Sequence, residues 1–246
     1  MCYYNSLDAS AEELAKRFKA EVEAVADFIP TYATSGFQFG NWPILTAQNP
    51  STFQYLQWGL LPQWVKGADK ARQLQSSTLN ARSESIHEKP AYRESYRKAR
   101  RCLIPSTGFF EWQKVGKKKY PYYVSLTSTK IFSIAGLWDE WTDTATGEVL
   151  QTFTLITIPA NPLMAHIHNT KERMPAILSV GNERKWLKQE LSEEEIREVL
   201  LPISDADMQA YTVRPLTGAH APDSHSKDVI APYTYPELNQ QQQSLF

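Results

Sequence analysis

Cysteine is scarce in this chain: Cys2 and Cys102 are the only two among 246 residues. Two cysteines cannot build a disulfide framework, and no Cys/His cluster has structural-zinc spacing. Long hydrophobic runs are missing as well. No stretch approaches the roughly 18 apolar residues of a membrane helix. The N-terminus lacks a basic segment ahead of an apolar one, so no secretory leader is expected. The expected location is a reducing cytoplasm, with no metal and no cofactor. Net charge is small too: 26 basic and 27 acidic side chains leave a formal −1 at pH 7, which argues against a wholesale polyanion binder.

What is present is an ordinary globular composition, 42% apolar and 22% charged, in a length that suits one large domain or two small ones. The charges are unevenly placed. Arg93, Arg97, Lys98, Arg100 and Arg101 precede Lys114, Lys117, Lys118 and Lys119, while Glu190, Glu193, Glu194, Glu195 and Glu198 lie farther on. Such segregation can raise a positive face on a neutral protein. Ordinary exposed helix and hairpin charges account for it equally well.

Periodicity divides the chain into elements. Leu14, Phe18 and Val22 in "SAEELAKRFKAEVEAVADF" predict an amphipathic helix, with Ser10 and Glu13 suited to a capping box. From Thr31 to Trp64 short aromatic runs read as strands and turns, and "KPAYRESYRKARR" as a second helix. Two hairpins follow: "CLIPSTGFFEWQKV" with "YPYYVSLT" across "GKKK", and "KIFSIAGLWDEWTD" with "EVLQTFTLITIPA" across "TATG". Further helix is expected in "NERKWLKQELSEEEIREVLLPI", and residues 236–246 read as a polar tail. The sum is a single α+β domain over residues 1–235, built on a curved, barrel-like antiparallel sheet with peripheral helices.

Several side chains suit chemistry. Glu111 lies among Phe109, Phe110 and Trp112; burial would raise its pKa and fit it for acid–base work. Strand alternation turns it away from Phe110 and Trp112, so an exposed position is the alternative. His166 and His168 would share a face on a strand and could chelate a metal, but no third ligand has a diagnostic spacing. Asn80 and Arg82 would likewise share a face, offering donors to phosphate or sugar oxygens, or simply to their own loop. Cys2 would carry a free α-amine once Met1 is removed, making it a 1,2-aminothiol. Cys102 in "RCLIP" reads as a buried strand cysteine.

Taken in order, Met1-Cys2, "WGLLPQW", "LNARSES", "RCLIPSTGFFEW", "PYYV", "IAGLWDEW", "TLITIPAN" and "HNTKERMPAIL" resemble the SRAP family (SOS-response-associated peptidase) from Cys2 to about Leu178. That resemblance implies covalent capture of abasic sites in single-stranded DNA. The catalytic set it implies is Cys2 as nucleophile, Asn80, Glu111 and His168, with His168 preferred to His166. Arg82 is implied as a phosphate contact, and Trp58 and Trp64 as DNA-side aromatics. The implied partner is abasic single-stranded DNA, bound by a monomer that is nucleoid-associated during DNA damage. Lyase-like and autopeptidase activities are implied alongside, and a thiol peptidase or a passive single-strand binder are the alternatives. Two departures stand out: Tyr3 and Tyr4 occupy the place of the family's Gly-Arg, and "NTKE" lengthens the gap between His168 and Arg-Met-Pro.

Overall fold

The computed structural model describes residues 2–218 and 221–238. Met1 and most of the polar tail, residues 239–246, lie outside the described residues. The chain opens with β1 (Tyr4–Leu7) and α1 (Ala11–Phe18), followed by β2 (Thr31–Ser35), β3 (Asn41–Thr46), β4 (Gln54–Trp58) and α2 (Ala68–Gln75). Next come β5 (Asn80–Arg82), α3 (Arg93–Arg97), β6 (Arg101–Ser106), β7 (Gly108–Val115), β8 (Lys118–Leu126) and β9 (Phe132–Thr142). The remainder is β10 (Val149–Pro159), α4 (Pro162–Ile167), β11 (Arg173–Pro175), β12 (Ile177–Leu178), α5 (Val180–Trp186), α6 (Glu193–Val199) and β13 (Met208–Thr212).

A closed ring of strands forms the centre. β4 pairs with β3, β3 with β6, β6 with β9, β9 with β10, and β10 returns to β4. The barrel-like expectation holds, with one addition: the β10–β4 closure is parallel, as is the β10–β5 pairing beyond it. The second sheet runs β13-β8-β7-β1-β2. Ile44, Leu56, Ile104, Leu137 and Leu155, one from each barrel strand, meet in the principal core. Burying such side chains contributes about 25 cal/mol for each Å² of apolar surface removed from water.

Helices are shorter than the sequence pattern predicts. α1 begins with the expected Ser10–Glu13 capping box, but Lys19 turns left-handed (φ 53°) and stops it before Val22. The Pro90–Arg101 helix shrinks to α3, because Arg101 is already pairing in the barrel. Both predicted hairpins form, β7–β8 and β9–β10. The "CLIPS" part of the first belongs instead to β6, in the other sheet. Among the described residues no helix is long and apolar enough to cross a membrane.

Candidate active site

β7 decides where Glu111 goes. Phe109 joins the principal core, while Phe110 faces a second cluster with Ala33, Tyr123, Val213 and Val229. Both faces of this strand are therefore covered, so alternation cannot expose Glu111; it is only 2% exposed. Gly108 makes the sheet's close approach possible, since a Cβ there would lie 2.3 Å from the Tyr123 ring.

Cys2 enters just before β1, which pairs with β7 from Tyr4↔Phe110 onward. Its side chain is wholly buried, and the thiol donates to the Tyr4 carbonyl at 3.4 Å. Burial, and after it the charge of Glu111, push this thiol far above the usual range. With its nitrogen in a peptide bond, Cys2 is thus a protonated, shielded thiol. The Asn80 amide donates to the Cys2 carbonyl at 2.8 Å. β5 delivers Asn80 by pairing with β10 at Leu155, and the Tyr92 hydroxyl donates to the Asn80 carbonyl at 3.1 Å. Among the described residues, Asn80 Oδ1 is buried and accepts no hydrogen bond.

His168 caps the C-terminal end of α4, so the two histidines lie on a helix end rather than a strand. They do not share a ligand face: His166 Nε2 lies 2.9 Å from Gln113 Nε2, whereas His168 Nδ1 lies 2.9 Å from the Arg173 carbonyl. His168 Nε2 lies 3.9 Å from Glu111 Oε2, so the two side chains form a buried acid–base pair. Cys2, Asn80, Glu111 and His168 therefore converge on one buried cluster.

The remaining expected residues separate. Arg82, two positions beyond Asn80, is exposed. Trp64 is 54% exposed, its indole N–H donating to the Pro90 carbonyl at 3.2 Å. Trp58 corrects the expectation of a DNA-side aromatic. It is 1% exposed, donates to the Leu79 carbonyl at 3.0 Å and lies parallel to Phe153, so no base can reach its ring. Arg100 and Arg101 leave the expected positive face as well: Arg100 pairs with buried Asp139, and Arg101 donates to the Lys188 carbonyl under Trp186.

Three supports escaped sequence reasoning. Asn169 holds the His168 loop to β7 by accepting from Lys114 N–H at 3.0 Å and donating to Lys114 C=O at 2.8 Å. Arg173 clamps Glu84 and the Thr157 carbonyl, joining β11, β10 and the loop after β5. Phe37 packs its ring against that of Tyr3, the residue after Cys2. Proximity in sequence to His168 was the one available signal for Asn169; Phe37 offered none.

Comparison with known proteins identifies the family. A family model described as SOS response associated peptidase (SRAP) matches residues 1–219. "Abasic site processing protein YoqW" of Bacillus subtilis (strain 168) is 37% identical over 177 residues, covering 71% of this chain and 74% of the relative. "Abasic site processing protein HMCES" of Xenopus tropicalis is 36% identical over 151 residues, covering 54% of this chain and 44% of its own. A crystal structure of a protein from Bacteroides thetaiotaomicron superposes with a TM-score of 0.88 at 38% identity, covering 95% of this chain and 100% of that one. The chain belongs to the SOS response associated peptidase (SRAP) family.

Proposed function

We propose that this protein captures abasic sites in single-stranded DNA by forming a covalent bond through Cys2 once Met1 has been removed. The observation that carries this reading is the placement of Cys2, held through its carbonyl by Asn80, beside the Glu111–His168 pair. Relatives named abasic site processing proteins support the choice of lesion.

The freed α-amine, with an ordinary pKa of about 7.7–8.0, is substantially neutral near physiological pH. Its lone pair attacks the aldehyde carbon of the ring-opened sugar and gives a carbinolamine. Loss of the hydroxyl as water leaves an imine. The Cys2 sulfur then adds to the imine carbon, its proton passing to the nitrogen, and a five-membered thiazolidine closes. One water is released overall. Both nucleophiles belong to one residue, so ring closure gains from proximity. Glu111 moves protons between amine, carbinolamine and departing water, and His168, 3.9 Å from it, assists sugar opening. Asn80 Oδ1 keeps a free acceptor for the amine or a sugar hydroxyl. Arg82 and Trp64, both exposed, contact the strand, and the active unit is a monomer.

The test is incubation of processed protein with single-stranded DNA carrying one abasic site. A denaturation-resistant species is expected, with the mass of protein plus DNA minus one water. Cys2→Ala abolishes it and Cys102→Ala retains it; an N-terminal extension that keeps the Cys2 nitrogen acylated also prevents it. A stable adduct in Cys2→Ala sinks the mechanism. Turnover of peptides without DNA would favour a thiol peptidase instead.

A further inference from the structure

Tyr3 and Tyr4, which stand where the family pattern has Gly-Arg, point in different directions. Tyr4 leaves the site: as the first residue of β1 it packs edge-on against Trp112 at 5.4 Å, with the second cluster. Tyr3 stays. It is half-buried against the principal core, and its ring centroid lies 5.0 Å from that of Phe37 at an interplanar angle of 39°. Phe37 is 51% exposed, a large apolar surface left open beyond its contact with Tyr3.

This pair is built rather than incidental. The Tyr3 carbonyl accepts from Gly36 N–H at 2.8 Å, tying the turn that carries Phe37 to the residue after Cys2. Gly36 presses on Trp58 and Leu79: a Cβ there would lie 3.1 Å from the Trp58 ring and 3.2 Å from Leu79. Phe39 then adopts the left-handed region (φ 52°) and returns its N–H to the Gly36 carbonyl at 3.1 Å. The turn is thereby pinned on Leu79, the neighbour of Asn80, and Phe37 projects outward. An exposed aromatic ring is held against Tyr3, the residue after Cys2, by backbone bonds and by a close glycine contact.

A lesion without a base leaves its neighbouring bases with one stacking partner missing. Bringing the sugar into a buried cluster separates them further. An exposed aromatic ring beside the nucleophile replaces the lost partner, and such stacking accepts any base because every base has a π-face. Resting on the abasic-site reading above, we propose that Tyr3 and Phe37 form a shelf on which a nucleobase adjoining the abasic site stacks, Phe37 supplying the exposed face and Tyr3 its support.

The test uses single-stranded DNA carrying a tetrahydrofuran abasic analogue, which binds without reacting, and the fluorescent base 2-aminopurine on its 5′ or its 3′ side. With wild type, fluorescence on one flank is quenched on binding. Phe37→Leu keeps the apolar volume but removes the π-face; it loses that quench and weakens binding on the order of tenfold. Phe37→Trp restores both. Unchanged quenching in Phe37→Leu, or no quenching on either flank in wild type that crosslinks natural abasic DNA, overturns the shelf and leaves the crosslinking reading standing. Wild type that neither binds nor crosslinks abasic DNA overturns both. Thermal melting of each variant confirms that it is folded.

Discussion

Cys2 and Cys102 are both buried, but their surroundings differ. Cys102 lies on β6 against Gly136, where an added Cβ would sit 2.8 Å from its sulfur; its carbonyl accepts from the Trp186 indole N–H at 3.1 Å, and burial alone raises its thiol pKa. Cys2 has the Asn80 amide on its carbonyl and the Glu111 charge nearby. Trp58 shows the opposite lesson, since a tryptophan in a suggestive motif serves the scaffold. Trp58→Phe removes one of two hydrogen bonds to the buried Leu79 carbonyl, which keeps the Leu155 N–H, and urea unfolding is expected to show a loss of about 1 kcal/mol. Crosslinking by the folded variant is expected to match wild type. A variant of unchanged stability but weaker DNA binding would return Trp58 to the interface.

Helix ends and loop staples act at the scale of single elements. In α1 the Glu13 carboxylate accepts from the Ser10 backbone N–H, and this bond foremost holds its pKa below the ordinary value. A lowered folded-state pKa contributes stability that is complete above the unfolded value and fades as pH falls through the folded one. Ser10→Ala is expected to cost about 1 kcal/mol at neutral pH. The melting-temperature gap between wild type and Glu13→Gln is expected to narrow on acidification; a constant gap would contradict the linkage. The lengthened "NTKE" segment is likewise an element with work to do. β1 stops pairing with β7 at Phe110, and farther along Asn169 takes both backbone groups of Lys114. Glu172, left-handed at φ 50°, then turns the chain so that the Arg173 carbonyl meets His168. Asn169→Ala is expected to slow crosslinking on the order of tenfold and to shift its pH profile, because positioned acid–base groups contribute 10²–10⁴-fold. A changed melting temperature with an unmoved pH profile would assign Asn169 to stability alone.

Over the whole molecule, the basic residues that cluster in sequence disperse. Arg100 neutralises Asp139, Arg101 lies inside, Arg97 meets Glu94 and Lys118 meets Glu237. DNA affinity that rests on phosphate contacts is expected to fall with salt. Each phosphate contact on a single strand contributes about −0.7 to the slope of log K against log salt. Arg82→Ala is expected to weaken binding to all sequences and flatten that slope by about 0.7, read from titrations at several salt concentrations. An unchanged slope would remove Arg82 from the phosphate contacts.

The sequence by itself determined what depends on near neighbours. Ser10 and Glu13 are three apart and cap α1 whatever lies beyond; the β7–β8 and β9–β10 hairpins follow from alternating runs around tight turns. Ordered motifs also marked Cys2, Asn80, Glu111 and His168 as a set. Only the tertiary structure decided which faces are covered, because alternation separates two faces without saying what packs on each. Glu111 is buried because β7 is covered on both faces, the one it shares with Phe109 by the principal core and the other by a second cluster, and Trp58 because the barrel closes through Phe153. Arg101 turns inward because its strand reaches the barrel sooner than a helix pattern suggests. Phe37 stands against Tyr3 because a backbone bond from Gly36 to Tyr3 joins segments more than thirty residues apart. Such contacts arise from chain closure over long distances, which local periodicity does not encode.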